Sequence, residues 1–247
     1  MLTILAALVQ LSLIIFVHEL GHYFFAKLAG VRIISFNIGF GPKLWAFQGK
    51  TTTYALRWIP LGGYVQFADN QSAADIPPGE RYENKSWLAR FGIMSGGVLF
   101  NILFAWAVFY GIYIAFLHWA FLPAIYKSLL TLLQLLQALA RELIGMFRHG
   151  NFAGLSGPIG VLRLSAQSVQ RGWAVFCLNA AFLSANLGLI NLLPFPALDG
   201  GRIIFLFYEL IFRRKPNPQM ENLFHLLGFF VLLIIIIVIS FLDLLNS

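Results

Sequence analysis

The sequence predicts an all-α polytopic membrane protein of about four transmembrane helices, with a small β-hairpin or sheet after the first helix. Three observations carry this. The 247 residues are 59% hydrophobic and only 11% charged, where a soluble domain carries about 25% charge. Four segments reach the roughly 20 apolar residues that a bilayer crossing needs. Residues 31–67 alone break the helical pattern, with β-branched and aromatic residues punctuated by Gly and Pro. Residues 1–247 read as a single membrane-embedded domain.

The first segment runs from about Leu2 to Leu28. It lacks a basic n-region and carries His18-Glu19-Leu20-Gly21-His22, so it reads as a retained helix and not as a signal peptide. In the β-rich insert, Gln48-Gly49-Lys50 reads as a turn between two strands and Pro60-Leu61-Gly62-Gly63 as a break. Backbone at membrane depth must have its hydrogen bonds met, so such a hairpin dips into the bilayer only if protein covers it or it lines a wet cavity. Residues 68–86 read as a polar surface loop. The second crossing is about Phe91–Leu117. Residues 129–147 form a helix whose Gln134, Gln137, Arg141 and Glu142 give it a polar side, so it lies at the interface or packs on the bundle. The third segment, about Trp173 to Phe212, is interrupted by Pro194 and Pro196, and the fourth is about Leu223–Leu245.

The net charge of +7 does not point to nucleic acid in this composition, because flanking positive charge sets membrane topology. Twelve Lys and Arg fall on the side bearing residues 27–90 and 202–215, and five on the side bearing 118–172. The positive-inside rule puts the HELGH end near the cytoplasmic face and both termini outside. The single Cys177 excludes an internal disulfide and reads as a buried small hydrophobe.

An acid and two imidazoles within five residues of an uncharged run are the chemical signal. Positions i and i+4 share one helix face. His18 and His22 are therefore placed to hold one Zn2+, with Glu19 between them to take a proton from the attacking water. Ionisable groups at this depth are costly and mark function, which weighs against a merely hydrogen-bonded pair of core histidines. A catalytic zinc has three protein ligands and an open position. Asp199, inside the apolar third segment and just after its prolines, is the candidate third ligand. The alternative for Asp199 is a helix cap, and for Asn191 an interhelical amide contact. His118, His149 and His225 lack partners at ligand spacing and read as interfacial or structural.

His18–His22 in the first helix, Asn191–Gly200 as NxxPxPxLDG, and Ser156-Gly157-Pro158-Ile159-Gly160 resemble the site-2 protease family of intramembrane zinc metalloproteases. The nearest likeness is to its bacterial branch that cleaves anti-sigma factors. Gly39-Phe40-Gly41, Ile59 to Val65 and Gly96 to Asn101 match that branch, and nearly the whole chain is covered. The resemblance implies His18, His22 and Asp199 as ligands of Zn2+ and Glu19 as general base. It also implies a hairpin that re-enters the membrane and pairs with an unwound substrate strand, through Gly62, Gly63, Thr53 and Ala55, and a contact from Asn191 to substrate backbone. Val98 stands where relatives often have Pro. Relatives often carry PDZ modules between the second and third spans; here Leu117 runs almost directly into the next helix.

The expected function is an intramembrane zinc endopeptidase of a bacterial inner membrane, acting on single-pass transmembrane proteins in regulated intramembrane proteolysis such as anti-sigma factor cleavage. Its partners are that substrate and the lipid bilayer, with no nucleic acid. A non-proteolytic membrane metal protein would also place His and Asp in helices. It would not explain Glu19 between the ligands or the β-rich insert.

Overall fold

A computed structural model describes residues 2–69, 75–150 and 157–245, apart from the side chains of Leu61 and Phe147. The N-terminal apolar run forms helix α1, Leu2–Leu28. Helix α2, Trp87–Ala115, begins where the Ser86 hydroxyl accepts the Ala89 N–H, four residues before the first apolar residue of the predicted span. It lies antiparallel to α1: His18 faces Asn101, Gly21 faces Gly96 and His22 reaches Ile93. The approach needs glycine, since a Cβ on Gly21 would collide with the Gly96 carbonyl and one on Gly96 would lie 2.7 Å from the Gly21 carbonyl oxygen.

Between these helices lie strands β1, Ile33–Gln48, and β2, Thr53–Phe67, joined at residues 49–52. Each doubles back on itself. β1 bends at Gly39 and Gly41, whose φ values are +90° and +82°, and β2 bends at Pro60 and at Gly62, whose φ is +148°. The register therefore resolves four short segments. Residues 43–48 pair with 53–57 antiparallel, 53–56 run parallel to 35–38, and 33–38 pair antiparallel with 63–67. The lateral order is 43–48, 53–57, 33–38, 63–67, which leaves 43–48 and 63–67 as the two edges. The sheet climbs beside α1 from Ala26, which packs with Val31 and Ile33, up to Ile15 and Glu19, which abut Gly63. It re-enters the bundle past the HELGH level, as the family resemblance implied. Arg57 stitches its segments: its guanidinium donates to Asn37 Oδ1, the Gly41 carbonyl and Tyr64 Oη at 3.0, 2.6 and 2.8 Å.

Helices α3, Phe121–His149, α4, Pro158–Gln170, α5, Trp173–Asn191, α6, Asp199–Phe212, and α7, Pro218–Leu245, complete the described chain. The third predicted segment is thus two helices, α5 and α6, broken at 192–198, and α4 is an element the sequence pattern did not suggest. Among the described residues five helices are long and apolar enough to cross a membrane: α1, α2, α3, α5 and α7. α3 packs Leu132 and Leu139 against Ala105 and Phe109 of α2 and Ala181 and Ala185 of α5. At the start of α4 the Gly160 N–H donates to Asp243 near the end of α7. Only residues 116–120 separate α2 from α3, so no further module sits between them.

Near the other face, Ile93, Met94, Ile203 and Leu206 join α2 and α6 to Ala26 and Ile33. There Trp87 donates to the Leu206 carbonyl at 2.7 Å, and Arg90 holds Glu209 through both terminal nitrogens at 2.9 and 2.6 Å. We call this the near face. If the glycine contact sets the α1–α2 spacing, Gly21→Ala will abolish a cooperative melt in detergent. Gly111→Ala, whose Cβ meets nothing within 4 Å, will hold or raise stability by up to about 1 kcal/mol.

Candidate metal centre

One helical turn puts His18 and His22 on the face of α1 that looks at α2, and both are nine-tenths buried, as is Glu19. Gly97 supplies the wall against the rings: a Cβ there would lie 2.5 Å from His22 Nε2 and 2.7 Å from His18 Cε1. The third group arrives from the side. α5 ends at Asn191, and the chain turns through Pro194 and Pro196 before α6 opens on Asp199. Gly200 lets this turn close, since a Cβ would strike the Leu192 and Leu193 carbonyls. Ala197 takes φ +74°, a left-handed conformation that costs a non-glycine residue about 1–2 kcal/mol.

Three ligand atoms meet. His18 Nε2 lies 3.1 Å and His22 Nε2 3.3 Å from Asp199 Oδ2, and the two Nε2 atoms are 3.2 Å apart. A tetrahedral ion with bonds of 2.0–2.1 Å separates its ligands by about 3.3–3.4 Å, which this triangle matches. The donor set also fits. His22 Nδ1 lies 2.7 Å from the Ile93 carbonyl oxygen, which can only accept. The hydrogen therefore sits on Nδ1, and Nε2 of the neutral ring presents a lone pair. Asp199 Oδ2 is buried without a hydrogen-bond partner. Lone pairs facing one another at this distance suit a cation bound between them. Among the described residues His18, His22 and Asp199 form the one such group of His, Cys, Asp or Glu.

His18 is oriented by Asn101. Its Nδ1 lies 3.2 Å from Asn101 Nδ2, while Asn101 Oδ1 is buried and unpartnered. The two ends of an amide are assigned by their partners. With the amide turned, Oδ1 accepts from His18 Nδ1–H, which satisfies the oxygen and frees Nε2 for the metal. Ser184 donates to the Asn101 carbonyl at 2.9 Å and ties this turn of α2 to α5. Asn101 was visible in the sequence as part of a motif but not as a support for His18, because the contact crosses 83 residues.

Asp199 has its own support. The Ala197 N–H donates to His225 Nδ1 of α7 at 3.1 Å, and Gly228, one turn on, admits Pro196 where a Cβ would collide. His225 is structural, as the sequence suggested, and what it supports is the turn carrying the third ligand.

The remaining candidates are placed as follows. Asn191 ends α5 half-buried, and its Nδ2 donates to the Leu187 carbonyl of its own helix at 3.0 Å. Gly63 touches Glu19: a Cβ on it would lie 2.8 Å from Glu19 Cγ, and one on Gly62 would strike the Phe40 ring. Thr53 and Ala55 belong to the inner segment, paired with residues 48 and 46 on one side and 35 and 37 on the other. A further strand cannot add there, because the bends that double each strand turn this stretch from an edge into an interior. The open edge beside Glu19 is 63–67. Ser156 of the predicted SGPIG motif lies outside the described residues.

A family model described as Peptidase family M50 matches residues 6–235. A protein of Nostoc sp. named "Putative zinc metalloprotease" is 28% identical, over 88% of this chain and 89% of its own length. One of the same name from Fusobacterium nucleatum is 26% identical over 97% of both chains. A "Probable membrane metalloprotease", chloroplastic, of Arabidopsis thaliana is 42% identical over 44% of this chain and 25% of its own. The Nostoc alignment runs over 325 positions, more than this chain holds, so that relative carries inserted segments absent here.

Removing the support of either ligand will weaken the metal without deleting a ligand. Asn101→Leu and His225→Ala will each lower zinc affinity about 10–100-fold, measured by competition with a chelating dye on purified protein. Unchanged affinity in both would show that the ligands hold their geometry unaided.

Proposed function

The chain belongs to peptidase family M50, and from that membership we propose an intramembrane zinc endopeptidase that hydrolyses peptide bonds inside transmembrane segments of single-pass membrane proteins. Regulated intramembrane proteolysis, such as anti-sigma factor cleavage in a bacterial inner membrane, is the setting that suits it. The observation that carries the reading is the buried triangle of His18, His22 and Asp199 with Glu19 one residue from the first ligand. Residues 27–32, 81–90 and 213–215 of the near face are rich in Lys and Arg, which favours a cytoplasmic near face.

Zinc held by the three ligands would supply a Lewis acid for the substrate carbonyl and a water whose pKa falls to about 7. Glu19 removes a proton from the attacking water as its oxygen bonds to the carbonyl carbon. As the C–N bond breaks, Glu19 delivers that proton to the leaving amine. Glu19 is buried where α1 meets Gly63 of β2, which shields the carboxylate from bulk water.

A helical substrate hides its carbonyls in its own hydrogen bonds, and each one freed in lipid costs several kcal/mol. The edge at 63–67 offers replacement partners within reach of Glu19, since β-augmentation pairs main chain to main chain. The same edge explains why a β-rich insert follows the metal-binding helix. Sheet addition needs an unpaired edge, and Gly63, at the start of this one, packs against Glu19 without a side chain in the way.

Two outcomes test this reading. Glu19→Gln will keep zinc and thermal stability but lose cleavage by at least about 100-fold, read by mass spectrometry on single-pass proteins incubated with wild type and variant. Single prolines from 64 to 66 will impair cleavage with alternating severity, because proline deletes an N–H and alternate N–H groups point to the open edge. Zinc content is the control for folding. Equal cleavage in all three proline variants would remove the edge from substrate binding.

A further inference from the structure

The two faces of the sheet differ, and the polar one carries a chain of hydrogen bonds that ends at the open edge. One face lies on α1. There Phe36 packs against Phe16 and Tyr23, Gly63 meets Glu19, and Val65 and Phe67 pack on the cluster around Ala26 and Ile33. Side chains alternate between faces along a strand. Ser35, Asn37, Arg57, Tyr64 and Gln66 therefore share the opposite face, and they bond to one another across it. Asn37 is buried, Ser35, Arg57 and Tyr64 are half-buried, and Gln66 is exposed.

Arg57 sets the direction of this chain, because a guanidinium only donates. Its Nε–H donates at 3.0 Å to Asn37, which must present Oδ1. The Asn37 amide nitrogen is then turned to Ser35 and donates to its Oγ at 2.8 Å. The Ser35 hydroxyl has one other contact of this kind among the described residues, Gln66 Oε1 at 3.1 Å, and its hydrogen goes there. Gln66 is left presenting Nε2–H, which has no partner among the described residues. Tyr64 leans inward to accept from Arg57 Nη2 at 2.8 Å, so it leaves the outer side of Gln66 open. The three partners of Arg57 are neutral acceptors. Its charge is therefore not cancelled, and it polarises each bond that follows toward the edge.

A strand added along 63–67 puts the residue opposite Gln66 on the polar face, with the two Cβ atoms about 4.5–5.5 Å apart. Its neighbours in the chain fall on the α1 face, beside Val65 and Phe67. Gln66 follows Gly63 by about 10 Å of strand, in the direction that leads from Glu19 to Ala26 and the near face. We propose that Gln66 is a specificity-determining residue. Its outward N–H selects a substrate side chain with an oxygen acceptor (hydroxyl, amide or carboxylate) about three residues to the near-face side of the residue beside Glu19. The proposal rests on the reading of the 63–67 edge as the substrate strand. It implies a substrate class of transmembrane segments with an acceptor side chain at that place and apolar residues on either side of it.

The test uses zinc-loaded full-length protein in liposomes and a single-pass peptide already shown to be cut in a Glu19-dependent way. The residues two to five to the near-face side of the cleaved bond are set in turn to Val or Thr. These two have similar shape and helix propensity, so the ratio of their kcat/KM values reads the hydroxyl and not the ease of unwinding. The expected result is a Thr over Val preference of about two- to tenfold at one position, carried by KM, with none at the positions beside it. Gln66→Leu will erase that preference. Gln66→Glu, whose outward oxygen only accepts, will favour Lys over Asp at the same position, where wild type favours Asp. Each comparison is a ratio within one variant, so a change in overall rate cancels. Equal Thr/Val ratios at all four positions, or a preference that Gln66→Leu leaves unchanged, would overturn the role of Gln66 and leave the protease reading intact. Failure of wild type to cut any transmembrane peptide would overturn the protease reading and this proposal with it.

Discussion

The metal centre depends on how closely α1 and α2 approach. Gly21 and Gly96 put backbone against backbone, and Gly97 lets α2 lie directly on the two imidazoles. A glycine inside a helix costs about 1 kcal/mol relative to alanine, so the three together carry a penalty of a few kcal/mol. In lipid there is no hydrophobic force to press helices together, and close packing plus interhelical hydrogen bonds of about 1–2 kcal/mol must do so. The bonds that the close approach permits are those that orient the ligands: His22 to the Ile93 carbonyl and His18 to Asn101. The same contact thus holds the bundle together and fixes which nitrogen of each ring faces the ion.

The third ligand solves a different problem. A carboxylate on a continuous helix would approach the histidines only from a parallel axis. Breaking the segment between Asn191 and Asp199 lets α6 begin at the level of the histidines and point its first side chain across the bundle. The break exposes backbone at membrane depth, where it is tolerated only if protein satisfies it. The turn's own bonds, Leu193 to Ile190 and Leu198 to Phe195, and the Ala197 bond to His225 meet that demand. The strain at Ala197 is of the same size as one such bond. Most of the surface of α7 is exposed, and its small and polar residues make specific contacts with the rest of the protein. Gly228 and His225 grip the turn, and Asp243 caps the start of α4.

Periodicity and charge made the helices legible, and burial cost made the ligands legible. α1 follows the apolar run residue for residue, and Asp199 stood out as an acid where lipid-depth chemistry forbids an idle one. α4 escaped because Arg163, Gln167 and Gln170 interrupt its apolar pattern. The sheet was legible as β structure with a turn at Gln48–Lys50, close to the observed connection at 49–52, but its order was not. A 16-residue strand reads as one strand, and only the positive φ at Gly39 and Gly41 reveals the fold-over. That fold-over moves Thr53 and Ala55 from an edge to an interior. Asn101 and His225 could not be assigned their tasks, since each acts on a residue far away in the chain.

The sheet's two edges are not equivalent. Residues 43–48 are exposed along their whole length, begin with Lys43 just after Pro42, and carry the features by which natural edges discourage further pairing. They also lie three strand spacings from 63–67, about 14 Å, a distance no peptide carbonyl can bridge while its own backbone is paired there. Residues 63–67 adjoin α1 at Glu19 through a glycine. Gly63 has no side chain to stand between this end of the segment and Glu19. Of the two edges, 63–67 is the one that reaches the level of Glu19, and the bend at Gly62 precedes it.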